Sequence, residues 1–280
     1  MKRAWLDQHR SPKGKWSPRS GSTGLKLRTV AKPTDAVPDQ SSASTLIARL
    51  SRAAAQRGYT VFNMGRVDDL PVLLLTPPEN PQKPRALIVA GLHGDEPAGP
   101  LAVAEVLENM PDRLLRARDV SFMPLASPGG FARNTRDDAR GYNPNRGWRS
   151  GYGPTGPVPQ LLRPGMDRMV ALAGGRVLTL HEDDTFDGEA YVYFSRNADA
   201  LARAMLDVVS PWFAPLPDGK YPTCGTVEAG LVKAAKDGTI EDVFQAKGIP
   251  TVLTTESPGR APLDARVRAN CAWIETFIRT

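Results

Sequence analysis

The chain has 280 residues, of which 41% are hydrophobic and 24% charged. That is enough apolar material for one sizeable core, and it excludes a fibrous or wholly disordered protein. The net charge of +6 belongs to the start of the chain: residues 1–42 hold nine Lys or Arg and three Asp, while the rest carries 27 of each sign.

Residues 1–42 are rich in Ser, Gly, Pro and basic side chains and poor in apolar runs, so a disordered basic tail is expected there. A nucleic-acid tether has no supporting aromatic interleaving or motif, so no nucleic-acid partner is expected. MKRAWLDQHR lacks the apolar core of a secretory leader. No stretch approaches the ~18 apolar residues of a membrane span. Cys224 and Cys271 lie far apart in unlike contexts. This argues against a disulfide framework or a cysteine-based zinc site and for a reducing, cytoplasmic setting.

Order is predicted to begin near Ser42. STLIARLSRAAAQRGY places Leu46, Ile47, Leu50 and Ala54 at helical spacing. YTVFNMG and LPVLLLTP read as strands around a turn with Asp68 and Asp69. RALIVAGL is a short continuous apolar run, the mark of a strand buried on both faces. EPAGPLAVAEVLENM reads as a helix with Glu96 at its mouth, and DVSFMPLASP as another central strand. Residues 128–156 form a long Gly-, Asn- and Arg-rich loop. A helix near 159–173, strands at GRVLTLHED and EAYVYFS, the helix NADALARAMLDVVSPWF, the strand IPTVLTTESP and a closing helix from Pro262 complete the series. Strands alternating with helices predict an α/β fold with a central, mostly parallel mixed sheet flanked by helices on both faces. Residues 43–280 are read as its single domain.

Three polar clusters fall at predicted strand ends: His93 to Glu96, His181 to Asp184, and Thr254 to Ser257. In parallel sheets, sites gather at the carboxyl ends of the strands. Two imidazoles and one carboxylate suit a catalytic zinc with a fourth position left for water. His93, Glu96 and His181 are therefore candidate ligands for one zinc ion per chain. Each cluster taken singly also fits a solvated turn or a structural histidine, and Asp95 or Asp183 competes on residue type. Asp95 is expected to orient a histidine ring, since a fourth protein ligand would close the water position. Glu256 is the candidate proton acceptor and donor; alone it fits a solvated strand edge equally well. The loop arginines could bind a carboxylate or a developing oxyanion, or could pair with Asp137 and Asp138.

GLHGDEPAG, RDDARGYNPNRGW, LTLHEDD and TVLTTESP, in this order, resemble the zinc carboxypeptidase (carboxypeptidase A-like) family. The likeness is strongest to compact bacterial members such as murein-tripeptide amidases, and it touches the succinylglutamate desuccinylase and aspartoacylase branch. It covers about residues 44–280. By motif position it implies that His93, Glu96 and His181 bind zinc and that Glu256 is general base and acid. It also implies that Arg136 polarises the scissile carbonyl and that Asn145 and Arg146 hold a substrate carboxylate. The expected substrate is a small peptide, peptidoglycan fragments included, or an acylated amino acid. The chain departs from the family in having Asn143 where members often carry Asp, and in lacking a Tyr in KDGTIEDVFQAKG. Glu241 and Asp242 lie where the family sets side-chain specificity and would favour a cationic substrate end. They also fit acids at a helix N-terminus, where they interact favourably with its dipole. Two other functions compete: an N-acyl amino-acid deacylase on the same scaffold, and a metal-free module with an Arg-lined carboxylate pocket.

Overall fold

A computed structural model describes residues 40–280, apart from Arg196 and the side chains of Gln40 and Ser41. Most of the predicted basic tail lies outside these residues. The first helix, α1 (Gln40–Gln56), begins two residues ahead of the predicted start. Its Leu46, Ile47, Leu50, Ala53 and Ala54 are buried, one apolar stripe at helical spacing.

In chain order there follow β1 (Thr60–Val67), β2 (Leu70–Thr76), β3 (Arg85–Ala90), α2 (Ala98–Asn109), α3 (Asp112–Leu115), β4 (Asp119–Met123) and α4 (Pro128–Arg133). Next come α5 (Pro157–Leu162), α6 (Met166–Ala173), β5 (Arg176–Asp183), β6 (Glu189–Phe194), α7 (Asp199–Val209) and four short strands, β7 (Ala214–Pro215), β8 (Gly219–Tyr221), β9 (Gly225–Glu228) and β10 (Leu231–Lys233). The chain ends with α8 (Ile240–Ala246), β11 (Thr251–Pro258) and α9 (Leu263–Arg279). No helix among the described residues is long and apolar enough to cross a membrane.

The strands form one mixed sheet in the order β1-β2-β4-β3-β5-β11-β6-β10-β9-β8, with β7 beside β6. The centre, β4-β3-β5-β11, is parallel throughout; β2 and β6 pair antiparallel to β4 and β11, and β1 pairs antiparallel to β2. Alternation along β3 shows why helices cover both faces. Ile88 and Ala90 join the core under α1, α2, α7 and α9. Leu87 and Val89 join a second core with Val158, Met169 and Phe244, under α5, α6 and α8. Past Arg85 the strand is apolar at every position and has no solvated face.

Two expectations need correction. The helix predicted near 159–173 is two α-helices joined by a 3-10 turn at Arg163–Gly165, where Pro164 and Gly165 weaken a continuous α-helix. The segment 128–156 is not wholly irregular, because α4 opens it, with Pro at its start and left-handed Asn134 (φ 52°) at its end.

Candidate metal centre

The site stands at the carboxyl ends of the parallel strands. In β5 and β11, His181 and Glu256 are register partners, so their side chains leave the sheet on the same face. Tyr191 on β6 pairs Glu256 from the other side. His93 lies three residues past the end of β3, on the turn that leads into α2. That turn needs glycine at position 94: a Cβ there would lie 1.8 Å from the carbonyl carbon of Gly130. Gly94 N–H donates to Thr135 O at 3.0 Å. The turn with the two candidate ligands His93 and Glu96 is thereby fastened to α4 and to the loop that carries Arg136.

His93, Glu96 and His181 are 3%, 4% and 3% exposed. One ligand atom from each lies within 4.8 Å of the others. Both imidazoles turn Nδ1 inward, His93 to Glu96 Oε1 at 2.6 Å and His181 to Glu96 Oε2 at 2.8 Å. The ring centroids are 5.0 Å apart. Two nitrogens and one carboxylate oxygen converging in a buried space fit zinc as a donor set. The outer edges of the two rings differ. His93 Nε2 meets Asn143 Oδ1 at 3.1 Å, whereas His181 Nε2 is buried without a hydrogen-bond partner among the described residues.

Electrostatics separate the two key carboxylates. Burial opposes ionisation of Glu96, but the facing imidazoles, His93 first, outweigh it and hold the carboxyl below the usual carboxylate range. Burial also opposes a charged His181, yet Glu96 and then Glu241 hold it well above the usual imidazole value. Glu256 moves the other way. Burial raises its carboxyl well above the usual value; His181 pulls it back, and Glu96 and Asp183 push it up further. Such a group binds a proton readily, as acid–base work requires.

The seven candidate ligand, proton-transfer and substrate-binding residues line one cavity of about 390 Å³: His93, Glu96, His181, Glu256, Arg136, Asn145 and Arg146. Arg136 donates from Nη1 to Glu96 Oε1 at 3.0 Å, and its side chain is 51% exposed, so it bridges the buried cluster and the open cavity. Asn145 is buried; its amide donates to Glu241 Oε2 at 3.1 Å and accepts from Ile240 N–H at 3.0 Å. Among the described residues, Arg146 has one loose ion partner, Asp237 at 3.8 Å.

The loop arginines do not pair with Asp137 or Asp138. Arg133 reaches Asp68 at 2.8 Å, and Asp138 instead accepts the N–H groups of Arg140 and Tyr142. Asp95 does not orient a histidine. It is exposed, because the turn that brings His93 and Glu96 inward points the residue between them out. Asn143 takes that place, where the family often carries Asp. Two further groups have contacts that the sequence did not indicate. Glu182, beside His181, is buried and raised to about 7 by that burial, against the pull of Arg266; it pairs with Arg266 and accepts Ala98 N–H at 2.7 Å. Glu241 faces His181, whereas its neighbour Asp242 is spent on Arg149, at 2.9 and 3.0 Å. An acid directly after a candidate ligand histidine was the available signal for Glu182.

No family model matches the chain, and no curated protein matches it. Solved structures do. A candidate metallopeptidase from Shewanella baltica OS155 is 28% identical, with a TM-score of 0.79 over 86% of this chain and 92% of that one. A candidate metallopeptidase from Shewanella denitrificans OS217 is 27% identical, with a TM-score of 0.77 over 85% and 90%. A metallo-carboxypeptidase from Pseudomonas aeruginosa, in complex with (2-guanidinoethylmercapto)succinic acid, shares the fold at 19% identity and a TM-score of 0.61, over 83% and 67%. With its mixed sheet and its buried His–Glu–His cluster, the chain is similar to these metallopeptidases and shares the fold of the metallo-carboxypeptidase.

Proposed function

We propose that the chain is a zinc-dependent carboxypeptidase or amidase that hydrolyses the C-terminal amide bond of a small peptide, with peptidoglycan fragments within that class. One observation carries the reading. The inward-facing His93, Glu96 and His181 share a cavity with a proton-holding carboxyl, Glu256, and with two arginines and an asparagine at its wall. Zinc held by His93, Glu96 and His181 supplies Lewis acidity toward the scissile carbonyl and a water acidic enough to ionise near neutral pH.

The chain's own residues do the rest. Glu256 takes the proton of the attacking water and returns it to the departing nitrogen. Arg136 swings between Glu96 and the carbonyl oxygen, where its positive charge stabilises developing negative charge. Arg146, weakly engaged by Asp237, offers a planar two-pronged fork to the terminal carboxylate of the substrate. Asn145 has a second amide N–H for the same carboxylate, since only one is committed to Glu241.

The test pairs a substrate panel with a variant. The panel holds peptides ending in Lys, Arg, diaminopimelate or apolar residues, together with N-acetyl and N-succinyl amino acids. Peptide cleavage is the expected result; cleavage of acyl-amino acids alone would replace the reading with a deacylase. Glu256→Gln should keep its zinc and lose about 10²- to 10⁴-fold in kcat. Undiminished turnover would remove Glu256 from the chemistry.

A further inference from the structure

The outward nitrogens of the two ligand histidines differ in one respect. His93 Nε2 has a partner in Asn143. Among the described residues, the buried His181 Nε2 has none, and neither has Glu241 Oε1. These two unmatched atoms face each other at 3.4 Å, misaligned for a hydrogen bond. A buried donor and a buried acceptor left unpaired are each costly, so their juxtaposition calls for an explanation.

We propose that Glu241 is a positioning residue of the metal centre: its carboxylate, anchored by Asn145, receives the Nε2–H of His181 and fixes that ring with Nδ1 turned toward the ion. The inference rests on the reading of His181 as a zinc ligand. A ring that lends the Nδ1 lone pair to a metal carries its proton on Nε2, and that proton needs an acceptor. The anchoring is mutual. Glu241 Oε2 accepts the Asn145 amide N–H, and Asn145 Oδ1 accepts the N–H of Ile240, the residue before Glu241. Both side chains are buried, at 5% and 7% exposure. The Glu241 carboxylate is thus held at both oxygens and is not free to read a substrate side chain. It also links Asn145, at the carboxylate end of the cavity, to a metal ligand.

Zinc affinity measured by chelator competition tests this in the full chain. Glu241→Gln keeps the shape, but one amide cannot accept from both His181 and Asn145. Glu241→Ala removes the acceptor altogether, and circular dichroism checks that each variant folds. Both should lose about 10- to 100-fold in zinc affinity, with the KM ratio between lysine-ended and alanine-ended peptides unchanged. Glu241→Gln alone carries the test if the alanine variant fails to fold. Wild-type affinity in the variants, or loss of a lysine preference with zinc binding intact, would overturn the inference and leave the zinc reading standing. A wild-type chain that binds no zinc would sink both.

Discussion

Asn143 settles more of the site than any of its neighbours on the loop. Its side-chain oxygen meets His93 Nε2 at 3.1 Å and also accepts the N–H of Asn145 at 2.8 Å. One atom therefore orients a candidate ligand and shapes the loop that presents Asn145 and Arg146. Asn143→Ala should lower zinc affinity about 10-fold or more, read by competition with a chelator, and should raise KM through the loosened loop. His93, His181 and Glu256 could be picked out as candidates in the sequence because each closes an apolar run with a residue type suited to metal or proton chemistry, and Glu96 because it stands at the mouth of the next helix. Asn143 could not, since spacing does not say which neighbour a loop side chain will reach. Asp95 was misplaced for the same reason: residue type suggested a partner for histidine, and the turn points it into solvent.

Among the elements, the contact between the β3–α2 turn and α4 is the tightest constraint on the site. A methyl group on Gly94 would strike Gly130 backbone atoms at 1.8–2.2 Å, and backbone cannot step aside as a flexible side chain can. Gly94→Ala should cost about 1–3 kcal/mol of stability, measured by denaturant unfolding, and should weaken zinc binding because His93 and Glu96 flank the strained position. Strands β3, β4, β5 and β11 were readable from their continuous apolar runs, and α1, α2, α7 and α9 from their apolar spacing. The six-residue α4 was not, because its PGGFAR sequence has no helical apolar stripe and reads as a turn. The short β8, β9 and β10 were not found either. Strands of three or four residues at a sheet edge carry too little alternation to stand out.

Across the whole molecule, the Glu182–Arg266 pair joins the segments that carry the chemistry. Glu182 follows His181 on β5 and accepts the N–H of Ala98, two residues past Glu96. Arg266, on α9, pairs with Glu182 and donates from Nε to Ala261 O at 2.9 Å, in the connection leaving Glu256. Both side chains are buried. Breaking such a pair from one side leaves a buried charge uncompensated, so Arg266→Ala should destabilise the protein by about 3–5 kcal/mol, visible as a large fall in the unfolding midpoint. Sequence alternation conveyed a central parallel sheet with helices on both faces. It did not convey the strand order, and so could not show that Glu182 and Arg266, 84 positions apart, would meet.

The central claim is that His93, Glu96 and His181 hold one catalytic zinc. Zinc content per chain, measured by mass spectrometry of the metal after gel filtration in zinc-containing and then zinc-free buffer, tests it most directly. The account predicts one zinc per wild-type chain and none in a folded His93→Ala/His181→Ala variant. A folded wild-type protein that retains no zinc, or a double variant that retains as much as wild type, would contradict it.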